Sequence, residues 1–242
     1  MKRLAPLFLL AASGCHIGFD RGIVVDGVRL EEKHQEVLDI GEWSSAGLSI
    51  ESHQGDIRIE PTSSATSITL EVYEESLGDA QAAYENGVLI ARTRSGKPCA
   101  IGDVVVRSAG PIPGLKISTG MGSVSLRDVA VQDVLRVATG MGDIEMRGPG
   151  EPKEIELESG MGSVELENAR CNRLRAKSGM GDLELAGVTA ADAQVSSGMG
   201  DVALRRSTFD RVRASTGMGD VDCIESTYAS GDFDTGLGDV DE

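Results

Sequence analysis

The hexapeptide Thr139-Gly140-Met141-Gly142-Asp143-Ile144 has near copies throughout the second half of the chain. Its Gly-Met-Gly core returns every 19 or 20 residues, and the last copy reads Gly-Leu-Gly. The first glycines of the seven copies are Gly120, Gly140, Gly160, Gly179, Gly198, Gly217 and Gly236. A fixed period of this size indicates a stacked repeat protein, because one such repeat cannot bury its apolar face alone.

Apolar and polar residues alternate on both sides of each glycine corner. Leu135 and Val137 precede the corner at Gly140, and Ile144 and Met146 follow it. This period of two is typical of half-buried β-strands, and paired glycines allow a sharp turn between them. The sequence therefore predicts an all-β fold, a single-stranded β-solenoid or β-helix with rungs of 19–20 residues and Gly-Met-Gly corners. We expect right-handed winding, which is the commoner choice for glycine-cornered β-helices.

Stacked rungs lie about 4.8 Å apart, so equivalent residues form columns along the stack. The Thr or Ser before each corner lies an even number of positions from the apolar residues of its strand, so its side chain should point inward. This predicts a buried hydroxyl column. The side chain of the residue after each corner should point outward. The acidic residues at this position form a candidate cation column for Ca²⁺, a hard ion that binds carboxylates. A structural role, in which each aspartate accepts backbone N–H bonds at the turn, is the favoured alternative. The candidate cation column is Asp143, Asp182, Asp201, Asp220 and Asp239.

The methionine between the two glycines has two interpretations. Thioethers suit Cu(I), so a column of methionines is a copper candidate. Leu237 replaces methionine in the last copy, however, which favours a flexible apolar residue that fills each corner. We therefore predict a packing role for this column and no cofactor.

The first residues have the pattern of a signal peptide. Lys2 and Arg3 precede a short apolar run, which ends at Ala12-Ser13-Gly14-Cys15. The run is too short to span a bilayer. The segment resembles bacterial lipoprotein precursors, which implies cleavage after residues 1–14, lipidation of Cys15 and a membrane anchor. Because His16 rather than Asp follows the cysteine, the resemblance favours the outer membrane.

The remaining chain divides into three predicted parts. Residues 15–40 are a tether and lead-in segment, residues 41–114 are irregular capping rungs, and residues 115–242 are the regular β-solenoid repeats. Within the cap, Ala80 to Asn86 is expected to be a helical turn or a polar loop. The other cysteines, Cys99, Cys171 and Cys223, are expected to be small buried hydrophobic residues, and no bridge between Cys171 and Cys223 is expected.

The chain is strongly acidic, with 39 acidic against 23 basic residues and a net charge of −16. Removal of residues 1–14 takes away Lys2 and Arg3, which moves the net charge to −18. Such a balance argues against nucleic acid as a partner. It is compatible with cations, and we expect a monomer.

The repeats resemble a bacterial putative-adhesin family of β-strand-repeat domains of unknown function, which is related to autotransporter-adhesin head domains. Thr139-Gly-Met-Gly-Asp-Ile144 and Thr216-Gly-Met-Gly-Asp-Val221 carry the resemblance most closely, and it extends over about Leu48 to Val240. The copies with Ser123 and Ser163 lack the aspartate. The resemblance implies the fold and transfers no catalytic residues.

Three functions remain open from the sequence. The favoured one is a non-catalytic, lipid-anchored cell-envelope module that presents a repetitive acidic face to a surface protein or polysaccharide. The second is a Ca²⁺-responsive envelope binding protein. The third is a β-helical polysaccharide-active enzyme, which is disfavoured because rungs that differ by one residue leave no inserted loops to wall a cleft.

Overall fold

The computed structural model describes residues 22–241, which wind into a β-solenoid of about seven turns. The all-β prediction and the solenoid prediction are therefore confirmed, whereas the winding direction stays a prediction. Residues 22–241 include no helix of the length and apolarity that crossing a membrane requires. The predicted signal peptide, residues 1–14, and the predicted lipidation site Cys15 lie outside the described residues.

The strands fall into an N-terminal set and a regular set. The N-terminal strands are β1 (Ile23–Val25), β2 (Val28–Leu30), β3 (Glu32–Gly41), β4 (Leu48–Gln54), β5 (Ile57–Pro61), β6 (Thr66–Glu74), β7 (Ala80–Glu85), β8 (Val88–Thr93) and β9 (Cys99–Ser108). The longer regular strands, which precede the glycine corners, are β10 (Leu115–Met121), β12 (Val134–Met141), β14 (Glu154–Met161), β16 (Arg170–Met180), β18 (Thr189–Met199), β20 (Thr208–Met218) and β22 (Thr227–Thr235). The shorter strands, which follow the corners, are β11 (Val124–Arg127), β13 (Ile144–Arg147), β15 (Val164–Glu167), β17 (Leu183–Ala186), β19 (Val202–Arg205), β21 (Val221–Ile224) and β23 (Val240–Asp241).

Two sheets face each other across the core. The long-strand sheet runs in the order β22-β20-β18-β16-β14-β12-β10-β4-β8-β7, and the short-strand sheet in the order β23-β21-β19-β17-β15-β13-β11-β5-β9-β6-β3. All neighbours from β4 to β22 and from β5 to β23 pair in parallel and without a register shift. Leu115 thus lies between Leu48 and Leu135, so apolar residues stack on apolar residues along the axis. This stacking gives one continuous core of Leu, Ile, Val and Ala side chains.

A short segment between each short strand and the next long strand closes the rung. Val129, Ala169 and Val188 in this segment are all buried. The turn that leads into it places one residue of every rung at a positive φ between 48° and 64°. That column is Asp128, Gly148, Asn168, Gly187, Arg206 and Glu225. Gly and Asn adopt this conformation readily, whereas Arg206 and Glu225 adopt it at a steric cost.

The N-terminal cap has a different chain order from the regular rungs. The rung formed by β4 and β5 lies between β8–β9 on one side and β10–β11 on the other. Strands β6 and β3 then extend the short-strand sheet in antiparallel fashion, and β7 extends the long-strand sheet. Trp43 packs edge-on against Tyr84 beside this end, and its Nε1 donates to Ser108 Oγ at 3.0 Å.

Two segments of the cap differ from expectation. Within the predicted tether, residues 23–30 form the hairpin β1–β2, whose Ile23, Val25 and Leu30 pack on Ala100, and most of β3 also falls there. The predicted helical turn or loop over Ala80–Asn86 is strand β7 of a second hairpin. Both hairpins turn at two-residue loops, Asp26-Gly27 and Asn86-Gly87, with positive φ at all four residues. Such loops match the twist of paired strands and override weak helical propensity.

Alanine at the second glycine of a corner should destabilise the fold. A Cβ on Gly181 would lie 2.4 Å from the carbonyl oxygen of Gly162, and its φ of +150° is one that residues with a side chain rarely adopt. We predict that Gly181→Ala lowers the free energy of unfolding by about 1–3 kcal/mol or more, measured by urea denaturation. Gly110→Ala is the matched control, since its Cβ would meet nothing within 4 Å. Equal effects of the two substitutions would contradict the close stacking.

Glycine in place of Arg206 should stabilise the fold. Arg206 has φ 48°, so replacement relieves a left-handed conformation that costs a residue with a Cβ about 1–2 kcal/mol. We expect Arg206→Gly to raise the free energy of unfolding by up to about 1 kcal/mol, because glycine also loses more chain entropy on folding. Its neighbour Arg205 lies in β19, where the same change should destabilise instead. A loss of stability in Arg206→Gly would refute the strain.

Candidate functional site

The hydroxyl column lies inside each glycine corner, as predicted. Ser178 is buried, and its Oγ donates to the carbonyl oxygen of Gly162 in the previous rung at 2.9 Å. The same bond, at 2.8–3.0 Å, recurs in other rungs, from Thr139, Ser159, Ser197, Thr216 and Thr235. Each hydroxyl therefore satisfies a carbonyl that the corner turns away from the sheet ladder.

The outward residues after the corners form a second ladder between rungs. Asp182 Oδ1 accepts the backbone N–H of Asp201 at 2.9 Å, and Asp201 Oδ1 accepts that of Asp220 at 2.9 Å. Asp220 repeats the contact with Asp239 at 2.8 Å, and Asp143 repeats it with Ser163 at 2.8 Å. The structural turn role is thus visible, but the acceptor serves the next rung rather than its own turn.

This aspartate ladder extends into the cap. Asp103 Oδ1 accepts from the backbone N–H of Asp56 at 2.8 Å, and Asp56 Oδ1 accepts from that of Ser123 at 3.0 Å. The column therefore begins two rungs before the regular repeats, at Asp103 in the rung of β9 and then at Asp56 in the rung of β4 and β5. The short motifs Gly55-Asp56 and Gly102-Asp103 are the sequence signal for these two members.

The candidate cation column is exposed and its members are stacked rather than convergent. Among residues 22–241, no group of three or more His, Cys, Asp or Glu side chains is arranged to hold a metal ion. The basic residues before the corners do not neutralise the column either, since Arg136 and Arg175 contact Glu156 on their own sheet. The hydrogen bonds to backbone N–H groups are thus the observed compensation for stacked like charges.

The two sheets differ in their outward charge. The outward positions of the strands β10 to β22 of the long-strand sheet carry eight basic and seven acidic residues. The acidic face, which we define as the outward positions of β11 to β23 together with the aspartates of the adjoining corners, carries eleven acidic and three basic residues. The acidic members are Asp143, Glu145, Glu165, Glu167, Asp182, Glu184, Asp201, Asp220, Asp222, Asp239 and Asp241, and the basic ones are Arg127, Arg147 and Arg205.

The three arginines of the acidic face each bridge neighbouring rungs. Arg127 contacts Glu145 at 3.0 Å, and Arg205 contacts Glu184 at 3.2 Å. Arg147 contacts Glu167, which holds the pKa of that carboxyl below its usual value. Glu165 receives no such partner, and its pKa is raised, first by burial and then by Glu167 and the glutamates above and below it. The folded protein therefore disfavours the ionised form of Glu165, through burial first and through its neighbouring glutamates second.

The methionines of the corners point outward, so the predicted packing role is wrong. They are 40–46% exposed, whereas Met146 in β13 is fully buried. The reason is geometric: each stands between two glycines that contribute no side chain, and the second glycine turns the chain at φ between 132° and 150°. We call this set the methionine column: Met121, Met141, Met161, Met180, Met199 and Met218.

A histidine and two glutamates meet in the cap, which the sequence does not reveal. His34 Nε2 lies 3.0 Å from Glu36 Oε1, and its Nδ1 lies 2.9 Å from Glu74 Oε1, although the latter contact is not an aligned hydrogen bond. Glu74 is completely buried and accepts the backbone N–H of Gly78 at 2.5 Å and of Ala80 at 2.6 Å. These contacts tie β3, β6 and β7 together, which is a structural role.

Cys171 and Cys223 are buried, and Cys99 is half-buried at the cap. None of the three is bonded to another of them. Burial raises the pKa of the Cys171 thiol to about 12, so it stays protonated and unreactive. The expectation of buried hydrophobic cysteines is confirmed for Cys171 and Cys223.

Two surface depressions lie among residues 22–241. One lies between neighbouring rungs and is lined by Asp192, Gln194, Arg211 and Arg213. The other, near the cap, includes Ala46, Gln132 and Lys153 among its lining residues. Neither depression touches the glycine corners or the acidic face.

Residues 127–241 match the family model described as Toastrack DUF4097. Two crystal structures resemble the fold over almost their whole length, and at these sequence identities the likeness shows the fold alone. A putative adhesin from Bacteroides fragilis has a TM-score of 0.51 and 14% identity, over 87% of this chain and 97% of that one. A putative lipid binding protein from Parabacteroides distasonis has a TM-score of 0.52 and 12% identity, over 85% and 97%. No curated protein matches the sequence.

Removal of the charge at Glu165 should stabilise the fold in a pH-dependent way. Because the folded state raises the pKa of Glu165, ionisation of this carboxyl opposes folding above that pKa, and the penalty disappears at pH values below its unfolded pKa. We expect Glu165→Gln to raise the melting temperature at pH 7 and to have little effect at pH 3.5. Glu184→Gln, which removes the partner of Arg205, is the control that should not stabilise. A gain that is independent of pH would show that repulsion is not its cause.

Proposed function

We propose that this chain, which carries a Toastrack DUF4097 domain over residues 127–241, is a non-catalytic, adhesin-like module of the bacterial cell envelope. Its mechanism is presentation of the acidic face to a surface protein or polysaccharide. The observation that carries the proposal is the uneven charge, eleven acidic against three basic residues on one face and a near balance on the other sheet. A regular spacing of about 4.8 Å repeats this charge along the stack, which favours extended partners over small ones.

Two observations support a binding role rather than catalysis. The regular rungs differ in length by a single residue, so no inserted loop rises beside the acidic face to wall a cleft. The two depressions described above lie elsewhere on the surface. Ligand and catalytic sites are usually concave and hold a few convergent polar groups. The neighbour from Bacteroides fragilis, described as a putative adhesin, is consistent with this role.

We infer further that the stack is attached to the outer membrane through a lipidated Cys15. The first described residues belong to the hairpin β1–β2, which packs on Ala100 and Tyr73 beside β9 and β6. The described residues therefore begin at the capped end of the stack. An anchor there would hold the cap near the membrane and direct the later rungs, with their aspartates, away from it.

Substitution of Cys15 tests the anchor. In the producing bacterium, the unaltered full chain should fractionate with membranes and carry the mass of a diacylglycerol and an acyl chain. Cys15→Ser should be recovered without the lipid mass and in the soluble envelope fraction. Cys99→Ser is the control, which should remain membrane-bound. Membrane recovery of Cys15→Ser without lipid would contradict the anchor and leave the binding role of the acidic face untouched.

The acidic face is tested with a cationic polymer of defined length, such as poly-L-lysine, as the probe. Replacement of Glu145, Glu165 and Glu184 by Gln should weaken binding, because these side chains lie on the face that would dock. The matched control replaces Glu154, Glu156 and Glu158, which lie in β14 on the long-strand sheet. We expect about a tenfold loss in the first triple at 0.1 M salt and less than half of that effect in the control. Equal losses would mean that binding follows net charge alone.

Thermal unfolding of the unaltered protein, with Ca²⁺ or with a chelator, tests the alternative that the protein is a Ca²⁺-responsive binding protein. A ligand of the folded state raises the melting temperature by mass action. Since Asp182 and Asp201 each commit one oxygen to a backbone N–H, we expect 5 mM Ca²⁺ to leave the melting temperature unchanged relative to a chelator. A rise that disappears in Asp182→Asn/Asp201→Asn would instead identify the candidate cation column as an ion site.

A further inference from the structure

Packing in the core does not explain why methionine recurs along the methionine column. Its members are 40–46% exposed, and glycines flank each one on both sides. An exposed position of this kind accepts polar side chains at little cost, yet six successive rungs present a thioether. The strand residues around it vary in sequence from rung to rung, as the change between Asp182 and Ser163 at the same position illustrates.

The register of the sheet sets the distance between neighbouring thioethers. Met121 lies opposite Met141, Met141 opposite Met161, and so on without a shift to Met218. Adjacent parallel strands are about 4.8 Å apart. The bond between Zn²⁺ and a cysteine thiolate is roughly 2.3 Å. If a thioether–Cu(I) bond has a similar length, an ion midway between two sulfurs needs them about twice that distance apart. The rung spacing therefore matches a two-coordinate ion, and the flexible methionine side chain can absorb small differences.

We propose that the methionine column binds a soft monovalent cation, Cu(I) or its analogue Ag(I), between the thioethers of adjacent rungs. Soft sulfur ligands select Cu(I), whereas Ca²⁺ and Mg²⁺ require oxygen ligands. The site is thus chemically separate from the aspartate ladder, whose oxygens serve backbone N–H groups. It also stands independently of any partner of the acidic face.

The neighbouring aspartates indicate where along the column binding is strongest. Met180, Met199 and Met218 are consecutive, and each is followed two residues later by an aspartate. Met121 and Met161 are followed instead by Ser123 and Ser163. Clustered negative charge raises the local concentration of cations. The three later rungs therefore form the primary site, and the three earlier rungs form a weaker one.

Methyl NMR of the unaltered full chain, labelled with ¹³C at the methionine methyl groups, tests the site with Ag(I) as the probe. We expect the signals of the methionine column to shift and saturate, those of Met180, Met199 and Met218 at lower Ag(I) than the rest. Met146 is buried in the core and is the internal reference that should not move. Column signals that stay in place at excess Ag(I) would overturn the proposal.

Leucine variants show whether Ag(I) binds to the methionine thioethers or to the cysteine thiols, because leucine keeps the position apolar but removes the sulfur. Leu237 occupies the equivalent position of the last corner, so leucine is compatible with it. In equilibrium dialysis, Met180→Leu/Met199→Leu/Met218→Leu should bind Ag(I) at least about tenfold more weakly, beyond the binding that the cysteines provide. The matched triple Met121→Leu/Met141→Leu/Met161→Leu should lose less. Unchanged uptake in the first triple would assign the ion to the thiols and contradict the proposal.

Discussion

The contact between stacked glycines is the constraint on which the rest of the structure depends. At every corner the backbone of one rung approaches that of the previous rung so closely that a Cβ would overlap a carbonyl; on Gly179 it would lie 2.4 Å from Gly160 O. Only glycine allows this approach at both corner positions. The rungs can then stack in parallel and in register, which places equivalent residues of successive rungs in columns.

A column of like side chains is stable only where each side chain has a hydrogen-bond partner, an oppositely charged partner or an apolar neighbour. The core columns meet this condition with Leu, Ile and Val, which pack on their own kind. The hydroxyl column and the aspartate ladder meet it by hydrogen bonding to the backbone of an adjacent rung. The acidic face meets it incompletely, since Glu165 lies between glutamates and lacks an arginine.

The sequence predicts the repeating part of the fold well, because the glycine spacing and the alternation of apolar residues are local signals. The sequence wrongly predicts a packing role for the methionine column. The alternation of inward and outward side chains along a strand does not continue through a corner with two glycines, one of them at φ near +150°. The prediction also fails in the cap. The Asp26-Gly27 and Asn86-Gly87 turns carry a local hairpin signal, whereas the position of the β4–β5 rung between β8–β9 and β10–β11 depends on long-range pairing. His34 and Glu74 meet for the same reason, since 40 residues separate them in sequence.

Because the corners stack in register, each column runs straight along the solenoid. A distance measurement between spin labels at Ser123 and Asp220 tests it most directly. These residues belong to one outward column and are five rungs apart. We predict a single narrow distribution near 24 Å, from about 4.8 Å per rung, broadened only by the labels. A distribution centred well beyond 35 Å, or one with several maxima, would contradict the in-register stack and with it the columns that form the acidic face and the methionine site.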